Sequence, residues 1–271
     1  MKAERLHPAS AAARHVFLWV LCAFLALPFY WMLQTSVSMR VEQGSAWWPS
    51  SIDLSNYREL FQKFSVGRFY LNTALVSVAA ASIQVGLALP MAYAFARLRV
   101  PGVRLLFIAV ISTMLVPDEV KLIPNYLLAA NLGWIDSYAG LIVPVAAHAF
   151  PVFVLHEHLK RLPGETFEAA ELDGANHLRR LWSVVLPQSV PILSALWIVA
   201  LLGRWNDYLW PLIIVDSEQM RTLPLALAYL KDSESAQMDW GGMMAAAAVA
   251  ALPLAPIFGV LQKKFMLVVP R

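Results

Sequence analysis

Charged residues are scarce in this sequence of 271 residues. Only 14% are Asp, Glu, Lys or Arg, whereas 59% are hydrophobic, and the mean hydropathy is +0.58. A soluble domain carries about one-quarter charged residues because its surface faces water. The shortage therefore argues against a soluble enzyme and indicates a chain surrounded largely by lipid. The 10 Trp and 8 Tyr agree with this, since their amphipathic rings favour the membrane interface.

Cysteine and the common catalytic motifs are also missing. Cys22 is the single cysteine, so no disulfide can form within the chain. No Walker phosphate loop, nucleotide-binding glycine fingerprint or zinc-ligand array is present. His156 and His158 flank Glu157, but side chains two residues apart point to different faces of a helix. We therefore expect no catalytic residues, no bound metal or cofactor, and no nucleic-acid partner.

Long stretches without charge predict an all-α integral membrane protein with about six transmembrane helices. The first stretch is too long for a signal peptide and no cleavage site follows it, so we expect it to remain as a span. A cytoplasmic segment at 1–15, one permease domain at 16–267 and a cytoplasmic tail at 268–271 are predicted. The predicted spans cover residues 16–39, 69–96, 105–135, 137–156, 181–203 and 240–262.

The third span is interrupted by charge. Only 13 residues run from Leu105 to the first charge of the group Asp118, Glu119 and Lys121. A hydrocarbon core of about 30 Å needs roughly 20 helical residues. We expect a helix broken near Pro117 and Pro124, its charged elbow buried in protein or facing a water-filled cavity. The alternative is that the span ends there and the charges lie in water.

Basic residues predict the orientation. With the N-terminus inside, 13 Lys and Arg fall on the cytoplasmic side and 7 on the other. The short basic turn at 97–104 is the strongest indicator, because short loops follow the positive-inside rule best. Both termini are therefore predicted to be cytoplasmic.

A segment at about 157–187, between the fourth and fifth spans, has a distinctive pattern on the predicted cytoplasmic side. Glu165, Glu168 and Glu171 place negative charge early in a short helix, where the helix dipole stabilises it. Gly174 can adopt a positive φ and turn the chain. A second helix is predicted to begin at about Asn176.

The spacing within this segment resembles the EAA loop of bacterial ABC-importer permeases. Glu168-Ala169-Ala170 is followed after three residues by Gly174, then after nine by Val184, and finally by Leu186-Pro187. The family pattern has Ile where this chain has Val184. The resemblance implies that this loop docks on an ATPase subunit and couples ATP hydrolysis to movement of the spans. The coupling residues it implies are Phe167, Glu168, Ala169, Ala170, Leu172, Asp173, Gly174 and Pro187.

The same resemblance implies an assembly in the bacterial inner membrane. The expected partners are a second six-span permease, two ATPase subunits, an extracytoplasmic solute-binding protein and membrane lipid. ATP and Mg would be held by the ATPase subunits. A net charge of −3 on the predicted outer loop, residues 216–239, is consistent either with contact to the binding protein or with a solvated loop.

A second motif indicates the solute. Residues 203–212 resemble the Trp-Asn-Asp-x-Leu-Trp-Pro signature of carbohydrate-importer permeases, of the maltose and glycerol-phosphate types. Rings stack on sugar C–H faces and carboxylates accept bonds from hydroxyls. The predicted substrate pathway comprises Trp205, Asn206, Asp207, Tyr208, Asp118 and Glu119. The alternative is an interfacial aromatic belt in which Arg204 and Asp207 pair locally.

Neutral sugars are favoured as the solute over sugar or glycerol phosphates, because the charged elbow is net acidic. Another small polar solute is the alternative.

An ion-coupled secondary transporter is the rival class of function. It usually needs ionisable residues within the membrane, and the first, second, fourth and sixth predicted spans contain no Asp, Glu, Lys or Arg.

Overall fold

The computed structural model describes residues 8–38, 48, 51–98, 100–232 and 240–253. Two compact units divide the chain: Met1–Val66 with Leu227–Leu254, and Gly67–Ala226 with Ala255–Arg271. The described residues form helices and connecting turns, with no strand among them. The helices are α1 Pro8–Ser36, α2 Ser55–Lys63, α3 Val66–Arg97, α4 Val103–Ser112, α5 Asp118–Asn131, α6 Tyr138–Ala146, α7 Ala149–Arg161, α8 Gly164–Leu172, α9 His177–Arg180, α10 Leu186–Trp205, α11 Leu209–Ile214, α12 Leu223–Asp232 and α13 Trp240–Ala251.

Three of these helical stretches are long and apolar enough to cross a membrane: Arg14–Ser36, Val66–Arg97 and His177–Trp205. The pair α6 and α7, bent by 42°, qualifies as a fourth when counted as one span. The third and sixth predicted spans correspond to shorter apolar helices, Val103–Leu115 and Trp240–Ala251. The all-α membrane fold is thereby confirmed. The end of the sixth predicted span and the tail 268–271 lie outside the described residues.

The third predicted span is broken at Pro117. A turn of 3₁₀-helix at Thr113–Leu115 ends α4, Val116 is extended, and α5 begins directly after Pro117. The ring of a proline disfavours helical backbone in the preceding residue, which accounts for the break. The break is expected near Pro117 and Pro124, and it falls at Pro117 alone, because Pro124 lies inside α5 without interrupting it. A proline is often tolerated inside a membrane helix, because neighbouring helices, side chains or waters bond the backbone groups that it leaves free.

The predicted outer loop at 216–239 is partly wrong, because its middle forms α12. Leu223, Leu225 and Ala226 are buried, and the Leu223 amide donates a 2.7 Å hydrogen bond to the Thr73 hydroxyl. The apolar run after Arg221 therefore folds against the protein, while the charges that suggested a loop lie at its two ends. Residues 233–239 lie outside the described part of the chain.

In the unit Gly67–Ala226, apolar clusters pack along α3, and two of them lie next to the predicted sites. One holds Leu89 and Tyr93 of α3 with Leu155 of α7, Phe167 of α8 and Val185. The other joins the opposite half of α3 to α5, α6 and α11. Alanines on α3 that are fully buried permit close approach of neighbouring helices, as is typical of membrane proteins. The first cluster positions the predicted coupling segment, and the second borders the predicted solute pathway.

In the other unit, α13 packs against both α1 and α2. Asn56 of α2 is buried and donates hydrogen bonds of 3.0 and 3.2 Å to the carbonyls of Ser36 and Ser38. These carbonyls lie at the C-terminal end of α1, where the helix itself offers no donors. Most side chains of α1 between Val16 and Leu33 are exposed and apolar, as expected for a surface that faces lipid or another subunit.

Candidate functional site

The predicted coupling segment folds as a helix, a glycine turn and a second helix. Helix α8 ends at Leu172, Asp173 is its C-cap, and Gly174 has a φ of +73°. The Gly174 amide donates to the Glu171 carbonyl at 3.0 Å and the Ala175 amide to the Ala170 carbonyl at 2.9 Å. This pair of bonds is the Schellman motif, which needs a left-handed residue after the helix. The predicted break at Gly174 is confirmed.

The second helix begins where the sequence predicts. The Asn176 side chain accepts a 2.8 Å bond from the Arg179 amide and caps α9. Arg180 then closes the turn from the other side, donating from Nε to the Ala175 carbonyl at 2.8 Å and from Nη1 to Glu171 Oε2 at 3.1 Å. A π-helical stretch, Leu181–Val185, joins α9 to α10 without a break in the helix. The coupling segment is therefore continuous with a transmembrane helix.

One face of helix α8 packs against the protein, and the opposite face is exposed. Within this fully described helix Phe167 alone is buried, at 7% exposure. Glu168 and Ala169 are exposed, and Leu172 is 89% exposed. Residues four apart share a helix face, so Glu168 and Leu172 form one outward surface. Of the other predicted coupling residues, Ala170 is half-buried, Asp173 is exposed at the turn, and Pro187 lies in the first turn of α10.

Some predicted pathway residues meet in a polar cavity of about 390 Å³. Asp118 and Glu119 reach it from the start of α5, and Asp207 from the turn between α10 and α11. The elbow at Asp118 thus faces a cavity, as expected for charge in a membrane protein. The other lining residues are Lys121, Leu122, Asn125, Pro144, Val145, Ala147, His148, Gly203, Arg204, Leu209 and Trp210.

Asp118 and Asp207, two of the three carboxylates that line the cavity, each lie close to a basic side chain. Lys121 Nζ lies 2.5 Å from Asp118 Oδ1, and His148 Nε2 lies 3.8 Å from Asp118 Oδ2. Arg204 Nη1 lies 2.9 Å from Asp207 Oδ2. The Trp210 amide donates to the other oxygen of Asp207 at 3.4 Å. Each pair retains lone pairs or N–H groups that can bind solute hydroxyls.

His148 is a lining residue that the sequence reasoning missed. It lies between α6 and α7, where its Nδ1 accepts a 3.4 Å bond from the Phe150 amide and caps α7. A polar residue inside an otherwise apolar predicted span was the available signal. The bend between the two helices opens this side chain toward Asp118.

The predicted aromatic group is not gathered around Asp207. Trp205 is buried and makes an edge contact with Tyr70, with ring centroids 6.1 Å apart. The Asn206 side chain donates a 2.9 Å hydrogen bond to the Leu202 carbonyl of the preceding helix. Tyr208 packs against the apolar cluster that joins α3 to α5, α6 and α11. Trp210 lines the cavity instead, held by a 3.0 Å bond from its indole N–H to the Gly140 carbonyl.

Asp136 and Asn72 hold the first residues of the predicted outer loop, 216–221. Asp136 Oδ1 accepts from the amides of Ser217 at 3.0 Å and Asp216 at 3.2 Å. Desolvation opposes ionisation of Asp136, yet these amide bonds outweigh it and lower the pKa of the carboxyl. The buried Asn72 amide donates to the Gln219 and Arg221 carbonyls at 2.8 and 2.9 Å. Residues 216–221 are therefore fixed to the unit Gly67–Ala226.

The sequence matches the family described as "Binding-protein-dependent transport system inner membrane component" over residues 64–265. An sn-glycerol-3-phosphate transport system permease protein of Brucella abortus (strain 2308) is 28% identical over 269 residues, covering 96% of this chain and 95% of the relative. The corresponding protein of Yersinia enterocolitica is 32% identical over 200 residues, covering 74% of this chain and 71% of the relative.

Two solved structures share the fold. A chain of a bacterial ABC transporter that imports the acidic polysaccharide alginate superposes with a TM-score of 0.82 at 23% identity, covering 97% of this chain and 99% of that one. A chain from the alginate transporter complexed with a pentasaccharide-bound periplasmic protein gives 0.66 at 16% identity, with coverage of 95% and 96%.

Proposed function

This chain belongs to the family of binding-protein-dependent transport system inner membrane components, and we propose that it forms half of the translocation pathway of an ABC importer for a carbohydrate. The family resemblance seen in the EAA loop is thereby confirmed, and the chain is a multi-pass inner-membrane permease rather than an enzyme. A second permease would complete the pathway, two ATPase subunits would hold ATP and Mg, and an extracytoplasmic binding protein would deliver the solute.

The observation that carries this proposal is the construction of α8. Its exposed face offers Glu168 and the apolar Leu172 to a partner, while Phe167 attaches the helix to the apolar cluster. After α8 the chain turns at Gly174 and continues through α9 into α10. A partner that moves α8 would therefore move a transmembrane helix. ATPase subunits are the partner that this arrangement fits.

The cavity supports a neutral, hydroxyl-rich solute. Its ionisable lining comprises three carboxylates, two basic side chains and His148, so its formal charge with neutral histidine is not positive. A cleft attracts solutes of opposite charge and repels those of its own sign. Neutral sugars are therefore favoured, with sugar or glycerol phosphate as the alternative raised by the permeases of Brucella and Yersinia.

Uptake by the reconstituted importer tests the function. In proteoliposomes containing this chain, the second permease and the ATPase subunits, sugar uptake should require internal ATP and external solute-loaded binding protein. Ionophores that collapse ion gradients should leave uptake unchanged. Uptake that proceeds without ATP and stops with an ionophore would instead establish an ion-coupled secondary transporter.

Asp207→Ala is expected to lower the initial rate of uptake about tenfold without altering assembly of the complex. The change removes a carboxylate that accepts hydroxyl hydrogen bonds, and losing a bond to a charged group costs about 1.5–3 kcal/mol. Uptake should be measured at several concentrations of loaded binding protein.

The double variant Arg204→Gln with Asp207→Ala separates solute contact from local pairing. If Asp207 only neutralises Arg204 across their 2.9 Å contact, removing both charges should restore uptake. If Asp207 contacts the solute, uptake should remain low. Normal uptake by Asp207→Ala alone would refute the solute contact and favour the aromatic-belt alternative.

A further inference from the structure

Arg97, the last residue of α3, contacts both the end of α7 and the predicted coupling helix α8. Its Nη2 donates to the carbonyls of Leu159 at 2.6 Å and Leu162 at 3.0 Å, at the C-terminal end of α7. Its guanidinium carbon lies 4.0 Å from the centroid of the Phe167 ring on α8. One side chain therefore contacts the end of one transmembrane helix and the only buried residue of the coupling helix.

Both contacts favour arginine over another basic residue. The last carbonyls of a helix have no partners within that helix, and a cation there also interacts favourably with its dipole. A planar guanidinium can donate along its edge while its face lies on an aromatic ring. Lysine can keep the charge and donate one bond, but it lacks the plane that makes both contacts compatible.

A second contact lies one helical turn earlier on the same side of α3. The buried Tyr93 has its hydroxyl 3.3 Å from His177 Nδ1 on α9, and the two rings meet edge-on with centroids 6.3 Å apart. Residues four apart lie on one face of a helix. Tyr93 and Arg97 thus bring both helices of the coupling segment, on either side of Gly174, against the end of α3.

We propose that Arg97 is the positioning residue that transmits displacement of α8 to α3 and α7. Arg97 does not line the cavity at Asp118 and Asp207, so it would act through Phe167 and the end of α7 rather than on the solute. A pull on α8 would then reach three transmembrane segments: α10 through the chain, and α3 and α7 through the guanidinium. This inference rests on the proposed function, because it requires that an ATPase moves α8.

The test compares Arg97→Gln and Arg97→Lys in the reconstituted importer, with uptake per ATP hydrolysed as the readout. Arg97→Gln should retain bound ATPase subunits and their basal hydrolysis, while uptake per ATP falls about tenfold. Arg97→Lys should fall between this variant and the unaltered protein. Arg104→Gln removes an exposed basic side chain from the same turn and should behave like the unaltered protein.

A double-variant cycle with Phe167→Leu tests the route. Leucine keeps apolar burial at this position but has no aromatic face for the guanidinium. If Arg97 acts through Phe167, combining Phe167→Leu with Arg97→Gln should lower uptake per ATP no further than Arg97→Gln alone. Multiplicative losses would overturn the proposed route.

The remaining outcomes distinguish failure of the inference about Arg97 from failure of the proposed importer function. Uptake per ATP at the unaltered level in Arg97→Gln would overturn the inference while leaving the importer function intact. If Arg97→Gln does not accumulate in the membrane, the unaltered ratio in Arg97→Lys would overturn it equally. If the unaltered complex shows no ATP-dependent uptake at all, the proposed function fails, and this inference with it.

Discussion

Gly174→Pro is expected to reduce solute uptake at least about tenfold while the permease still reaches the membrane. Proline fixes φ near −65°, whereas Gly174 has a φ of +73°, and it removes the amide that donates to the Glu171 carbonyl. The helix end must therefore rearrange, and α8 would no longer be directed toward its partner. Stimulation of ATPase activity by loaded binding protein is the measurement that follows this loss directly.

Milder substitutions at Gly174 separate backbone conformation from side-chain bulk. A Cβ added at Gly174 would meet no atom within 4 Å, so a larger residue is not disfavoured by steric overlap at the Cβ. Alanine should cost about 1–2 kcal/mol for the left-handed backbone alone. Asparagine adopts this conformation more readily and should retain more coupling than alanine. A series ordered glycine, asparagine, alanine, proline would therefore identify the backbone as the cause.

Gly133 provides a matched control. It follows α5 with a φ of +68°, and the same two bonds close that helix: Gly133 amide to Ala130 carbonyl at 3.0 Å and Trp134 amide to Ala129 carbonyl at 2.8 Å. Gly133→Ala should destabilise the permease as much as Gly174→Ala, yet uptake per ATP should fall only in the latter. Equal losses in both would show that general instability, rather than misdirection of α8, causes the defect.

Local chemistry explains why the coupling segment was predictable from sequence. Its helix formers, its glycine and the Asn176 cap act within a few residues of one another, and the structure shows each element at its predicted place. The break at Pro117 has the same origin, since a proline acts on the residue directly before it. Features governed by neighbouring residues can be inferred without a tertiary fold.

The contacts that assemble the two sites depend on residues far apart in the chain. Arg97 donates to carbonyls more than sixty residues away, and its stacking on Phe167 has no local signal. His148 reaches Asp118 only because α6 and α7 bend. Trp205 sits among polar and aromatic neighbours in the sequence, yet the fold directs it to Tyr70 instead of the cavity. Residue types alone do not specify which distant residues a side chain contacts in the folded protein.

Leu172→Ala is expected to weaken binding of the ATPase subunit about tenfold. Leu172 is 89% exposed, so the permease loses almost no buried surface when the side chain is shortened. Burying a leucine in a partner contributes about 1.5–3 kcal/mol, and 1.4 kcal/mol corresponds to a factor of ten in affinity. The amount of ATPase retained on the permease pair should be titrated against ATPase concentration.

Glu168→Lys should weaken the same binding by a separate physical cause. Glu168 is exposed one helical turn before Leu172, so reversal of its charge alters the electrostatics of the outward face without disturbing buried contacts. Its effect should diminish as salt is raised, because exposed charges are screened, whereas the effect of Leu172→Ala should persist. This difference in salt dependence distinguishes an electrostatic contact from an apolar one on the same surface.

Val100→Ala and Arg104→Glu are the matched controls for these two variants. Both residues are exposed in the basic turn on the same predicted side of the membrane, so they test loss of an exposed apolar side chain and reversal of an exposed charge elsewhere. ATPase binding should be unchanged in both. If Leu172→Ala and Glu168→Lys also bind ATPase normally, the outward face of α8 does not dock the ATPase. Its exposed leucine would then require another partner, and coupling would have to reach α10 by a route other than α8.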